Sequence, residues 1–163
     1  CKSGVGTALV TLDGGIMVAA LLAVNAVGDV VDDTGRILAG TRQPPDGARF
    51  AGALAMLPAL ARMTPGGAAN TVIGVVATNA ALSKEEANKV AQMAHDGLAR
   101  AVRPAHTLMD GDTIFALATG SAGRANASAI GAFAAEVTAQ AIRRAVRAAT
   151  PLAGLPVGAS VGE

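Results

Sequence analysis

The sequence predicts a single domain of layered α/β structure built around a mixed sheet. Three observations carry that expectation. The chain opens with two apolar runs joined by Asp13-Gly14-Gly15, a strong hairpin signature. A strand–helix–strand–helix order follows over residues 71–148, the alternation that yields layered α/β folds. The 163 residues are enough for one substantial core and contain no internal repeat.

Residues 5–12 and 16–25 are the predicted hairpin strands. The second is apolar almost throughout, as expected of a strand covered on both faces. Residues 26–37 continue with short strand character, broken by Asp32, Asp33 and Gly35. Residues 41–47 contain Pro44–Pro45 and read as a loop, and residues 50–63 read as a short helix that Pro58 kinks or interrupts. The stretch 64–70 (TPGGAAN) is turn-rich and leads directly into a β-branched strand at 71–78. Ser83 and Glu86 form a capping-box pair opening a helix. In it Ala87, Val90, Ala91, Ala94, Leu98 and Ala101 share one face, and Pro104 stops it. A polar loop at 106–112 precedes a strand at 113–119, and residues 127–148 form a second long helix after a loop at 120–126. Arg143, Arg144 and Arg147 near its C-terminal end suit the helix dipole and are expected on a solvated face. Residues 151–163 are Gly/Pro-rich and irregular.

Composition narrows the function classes. Apolar residues make up 52% of the chain, mostly Ala, Val and Leu, with three Phe and no Trp or Tyr. Small side chains favour close approach of helices and sheet, but they offer no platform on which bases stack. Net charge is +1 with both signs interspersed, which points to neither a nucleic-acid nor a membrane partner. The longest apolar run, 16–24, is too short to span a bilayer. A lone Cys1 excludes an internal disulfide and a cysteine zinc site; it suits a reducing compartment, with the cytoplasm expected and the periplasm as the alternative, since many exported bacterial proteins also lack disulfides. Because the first residue is not Met, the sequence is expected to be processed or a fragment.

The candidate chemistry centres on Asn70–Thr71. A hydroxyl residue there begins an apolar strand directly after a glycine-rich loop. The Thr71 hydroxyl can reach the Asn70 carbonyl and displace its own amide as an ester, and water then frees a Thr71 amine. An α-amino group has a pKa of about 7.7–8.0, so it can serve as general base near neutral pH without histidine. Thr also begins many strands for purely structural reasons. Asp110 and Asp112, spaced i, i+2 before a strand, are either turn formers or carboxylates that hold a cationic amine. Asn25, polar at the end of a buried strand, needs a partner within the fold or at a site. The glycines of residues 2–7 lack phosphate-loop spacing. A Ser/Thr–His–Asp hydrolase would recruit one of His95 and His106, but loop or capping roles suit both.

Taken together, KSGVGTA (2–8), VNAVGD (24–29), NTVIGVVA (70–77), HDGLAR (95–100), RPAHT (103–107) and DGDTIFALATG (110–120) resemble the L-aminopeptidase/D-esterase (DmpA-type) family. That family includes β-peptidyl aminopeptidases and the 6-aminohexanoate-oligomer hydrolase. The resemblance runs in order over nearly the whole chain and covers the C-terminal half of a typical member. It implies an αββα sandwich and autocleavage into a larger subunit ending at Asn70 and a smaller one, residues 71–163. It implies as partners an upstream segment of the larger subunit, further copies in a homo-oligomer of αβ units, and a small peptide or amide substrate, with no cofactor. By the same resemblance Thr71 matches the nucleophile, Asp110 and Asp112 the pair that positions it, Asn25 the oxyanion stabiliser and Lys2 a lysine near the nucleophile. Ser3 and Val72 depart from the usual pattern without removing a reacting group. Acyl transfer of the ornithine acetyltransferase type, and a non-catalytic assembly module, are the competing readings.

Overall fold

The opening hairpin forms as its sequence predicts. Strand β1 (Val5–Thr11) pairs antiparallel with β2 (Met17–Ala23), and Asp13–Gly15 close them in a single 3-10 turn. Gly14 and Gly15 both take positive φ there, 69° and 75°, the region where a side chain is penalised. The computed structural model describes residues 1, 3–43, 49–60 and 70–158. Two short strands follow, β3 (Asp29–Val31) and β4 (Ile37–Ala39), and then helix α1 (Ala53–Leu60), which carries Pro58 inside it. The predicted extension of that helix through residue 63, and the Pro44–Pro45 loop, lie outside the described residues.

The second half supplies the layering. Strand β5 (Ile73–Thr78) pairs antiparallel with β2, and β7 (Thr113–Ala118) pairs parallel with β5. The crossover between β5 and β7 is helix α2 (Lys84–Ala101), followed by the two-residue strand β6 (Val102–Arg103). Helix α3 (Ala127–Arg147) ends the regular structure. The strands form a four-stranded sheet, β1-β2-β5-β7, and a three-stranded one, β4-β3-β6. Mixed α/β layering is therefore present, with both antiparallel and parallel pairs in the larger sheet.

Both long helices start where their caps dictate. The Ser83 hydroxyl accepts from the Glu86 amide at 3.2 Å while the Glu86 carboxylate accepts from the Ser83 amide at 2.7 Å. The Asn126 side chain accepts from the Ser128 and Ala129 amides. The helices cover one face of the larger sheet, burying Ala8, Val18, Ala20, Leu22 and Val76 against Leu98, Ala134, Ile142 and Val146. Their small side chains permit very short spacings. A Cβ added to Gly97 would stand 2.0 Å from the Ala135 carbonyl oxygen, so α2 and α3 touch backbone to backbone.

Two expectations need correction. Strand β2 is covered on one face only: Met17 and Leu21 are exposed, and with them Val5, Leu9, Ile73, Phe115 (59%) and Leu117 on neighbouring strands. The larger sheet thus presents an open apolar face among the described residues. Arg143 is not solvated either. It is 7% exposed, its Nε donates to the Val31 carbonyl at 2.9 Å, and its guanidinium pairs with Asp33. A buried guanidinium needs such partners, and they come from a segment about a hundred positions away in sequence.

Candidate active site

The three residues before β5 hold the site. Asn70 and Val72 lie alongside 110–113 as an extension of the parallel β5–β7 pairing. The Asn70 amide donates to the Met109 carbonyl at 3.3 Å, and the Gly111 amide to the Asn70 carbonyl at 2.9 Å. The Thr113 amide donates to Val72 at 2.9 Å, and on the opposite side the Thr71 amide donates to the Asn25 carbonyl at 2.8 Å. Thr71 is thereby clamped between the end of β2 and the approach to β7. Its hydroxyl donates to the Asn70 carbonyl oxygen at 2.7 Å. That oxygen therefore accepts two hydrogen bonds, one from the hydroxyl beside it and one from a fixed backbone N–H.

The two carboxylates organise the backbone around this point. Asp110 accepts from the Val27 amide at 3.2 Å through Oδ1, and from the Thr107 amide and hydroxyl at 3.1 and 2.7 Å through Oδ2. It ties the 26–28 segment to the loop before β7. Asp112 accepts from the Val72 amide at 2.9 Å through Oδ1 and faces His106 Nδ1 at 3.2 Å through Oδ2. Among the described hydrogen bonds neither carboxylate reaches the Thr71 hydroxyl; each acts on the main chain next to it. The His106 and His95 rings lie 5.0 Å apart. Burial, then the facing His106, hold His95 below its ordinary value of 6.5, against a smaller pull from Asp112 and Asp96.

Of the other residues singled out by sequence, Asn25 is exposed, and the contact it makes with Thr71 is through its carbonyl. Lys2 lies outside the described residues. Ser3, one of the two departures from the usual pattern, donates its hydroxyl to the Val24 carbonyl and so braces the strand end that carries Asn25. A cleft of about 420 Å³ opens beside Thr71 and Asn25, with Val5, Ala23, Ile73 and Leu155 on its apolar walls.

A family model, Peptidase family S58, matches residues 1–157. The chain belongs to peptidase family S58. It is 44% identical over 177 residues to an uncharacterized aminopeptidase of Mycobacterium leprae, covering 95% of this chain and 47% of that protein. It is 34% identical over 146 residues to the 6-aminohexanoate-oligomer endohydrolase of Paenarthrobacter ureafaciens, covering 81% of this chain and 41% of the other. Among solved structures it is similar to a Burkholderia β-aminopeptidase, with a TM-score of 0.60 at 25% identity over 89% of this chain and 42% of that one. The L-aminopeptidase D-Ala-esterase/amidase of Ochrobactrum anthropi, described as a variant of the Ntn hydrolase fold, matches with a TM-score of 0.61 at 20% identity. That match covers 95% of this chain and 43% of the other, and it speaks to fold. The chain spans about half the length of the relatives it matches.

Within this S58 chain, sequence reasoning missed two groups. The Gly111 amide is a backbone donor and leaves no side-chain signature, although a glycine between two carboxylates hints that space is short there. A Cβ at 111 would stand 2.9 Å from the Thr71 hydroxyl oxygen. The second is the pairing of His106, itself read from sequence as a loop residue, with Asp112, which lies six positions on and meets it only through the fold of the 106–112 loop.

Proposed function

We propose that this chain carries the nucleophile of a self-processing amide hydrolase whose working group is an amino-terminal Thr71. The Thr71 Oγ attacks the Asn70 carbonyl carbon, the C–N bond breaks, and the departing nitrogen takes a proton to become the Thr71 amine. Water then hydrolyses the Asn70 ester, leaving a carboxylate on Asn70 and a free hydroxyl on Thr71. In turnover the new amine accepts the hydroxyl proton as the Oγ attacks a substrate amide. The substrate amine leaves with a proton, and water releases the acyl group. The observation that supports this most is the Asn70 carbonyl oxygen, which accepts from both the Thr71 hydroxyl and the Gly111 amide. A fixed N–H aimed at an oxygen where negative charge develops lowers the barrier, and losing one such donor costs about 3–4 kcal/mol.

The substrates we propose are short amides whose acyl part carries a free amino group, the chemistry shared by the names of the aminopeptidase and 6-aminohexanoate-oligomer relatives. An upstream segment of the same protein covers the open apolar face of the β1-β2-β5-β7 sheet, completing a second layer, and the units assemble with further copies. Hydrolysis of an aminoacyl p-nitroanilide and of 6-aminohexanoate dimer by the full-length protein, against its Thr71→Ala variant, tests the assignment. Activity that vanishes with Thr71→Ala supports it, and activity that survives rejects it.

A further inference from the structure

We propose that His106 is a positioning residue for the Thr71 site, acting through Asp112; this rests on the Thr71 assignment above. Asp112 is almost fully enclosed, its side chain 4% exposed, and both of its oxygens are engaged. One holds the Val72 amide at 2.9 Å and the other meets His106 Nδ1 at 3.2 Å. A buried carboxylate is stable only while its oxygens are partnered. With the imidazole gone, the freed oxygen is left to seek another donor, and the carboxylate turns about χ2. The group it then releases is the amide directly after Thr71. His106 thus fixes Asp112, Asp112 fixes Val72, and Val72 fixes the direction in which the Thr71 hydroxyl points.

The backbone at His106 is the second observation. Its φ is +56°, a left-handed conformation that Gly or Asn adopts more readily. A non-glycine residue persists in that region only where the surrounding contacts hold it. The ring is 41% exposed, packs against His95 of α2 at 5.0 Å, and turns Nδ1 to Asp112. The other charged groups nearby are Asp110 on the same loop, held by Val27 and Thr107, and Asp96, next to His95 on α2. Asp112 is therefore the group that His106 engages.

Two variants of the full-length protein separate positioning from folding. His106→Gly removes the imidazole and relaxes the left-handed backbone. His106→Asn tolerates the same backbone and places an amide N–H where Nδ1 was. The readouts are kcat and KM on an aminoacyl p-nitroanilide, per free Thr71 amino terminus, together with Tm. The Gly variant should lose roughly tenfold or more in kcat, the scale of one charge-assisted hydrogen bond, with KM little changed. The Asn variant should recover most of the loss. Wild-type kcat in the Gly variant, or an Asn variant as slow as the Gly one, overturns the proposal. If the Gly variant does not fold, His106→Gln supplies the contrast, since its amide sits one bond farther out. A slow Gln variant beside a competent Asn variant supports positioning, and equal rates reject it. Wild-type protein that hydrolyses nothing, or an active Thr71→Ala variant, defeats the Thr71 assignment itself and this inference with it, an outcome visible without any His106 variant.

Discussion

Gly111→Ala perturbs the proposed site with the least collateral change. The new methyl would stand 2.9 Å from Thr71 Oγ1, and 3.9 Å from both the Asn70 carbonyl oxygen and Thr71 Cβ. Relaxed carbon contacts lie near about 3.5–4.0 Å, so the hydroxyl must yield. Because the obstructed atom is the free end of a side chain, Thr71 relieves the clash by turning to another staggered position about χ1. That turn displaces Oγ1 by roughly 2 Å. The 2.7 Å contact with the Asn70 carbonyl is then lost, while the Gly111 N–H stays on the same oxygen at 2.9 Å. Misplacing a reacting atom by about 1 Å costs on the order of 100-fold, so self-cleavage should slow at least that much. Stability should barely move. The Thr71 hydrogen bond contributes about 0.5–1.5 kcal/mol, and replacing Gly by Ala at a compatible φ returns about 0.4–1 kcal/mol through the unfolded state. The assay is intact mass of freshly purified full-length protein against time, with Tm measured in parallel. A Gly111→Ala protein that splits at the wild-type rate would refute the geometry.

Three further outcomes follow from the fold. Arg143→Met strands the buried Val31 carbonyl and should cost about 1–3 kcal/mol. Arg147→Met, on the exposed side of the same helix, should stay within about 0.5 kcal/mol; thermal melts of the two distinguish them. Phe115→Asp tests the proposed cover over the open sheet face: with a segment packed there, the buried carboxylate should lower the Tm of the full-length protein by several degrees, and an unchanged Tm would count against that cover. His95 has its folded pKa below its ordinary 6.5, so the unfolded chain binds more protons between those two values and stability rises with pH across that window. Wild-type Tm should therefore fall as pH drops below about 6.5, and His95→Gln should flatten that slope in melts taken from pH 5 to 8.

What was legible in the sequence was local. Asp13-Gly14-Gly15 specifies its turn by itself, and Ser83 with Glu86 starts α2 within one helical turn. The periodic Ala, Val and Leu positions of α2 announce its buried face. Groups whose partners come from elsewhere were not legible. Arg143 reads as a surface arginine until Val31 and Asp33 are brought to it. The apolar β2 reads as doubly covered because hydrophobicity reports that a surface wants burial, not which chain segment supplies the cover. Thr71, Asn70, Asp110 and Asp112 do converge as the motifs suggest, yet through main-chain amides that no side-chain pattern can display. The Gly111 N–H and the His106–Asp112 pair belong to that same class.

The central claim is that Thr71 becomes an amino terminus before it works on substrate, and N-terminal sequencing of the purified, active full-length protein tests it most directly. Two sequences are expected in equal amount, the natural start and one beginning Thr71-Val72-Ile73-Gly74. A single intact chain that hydrolyses amides at full rate would contradict it.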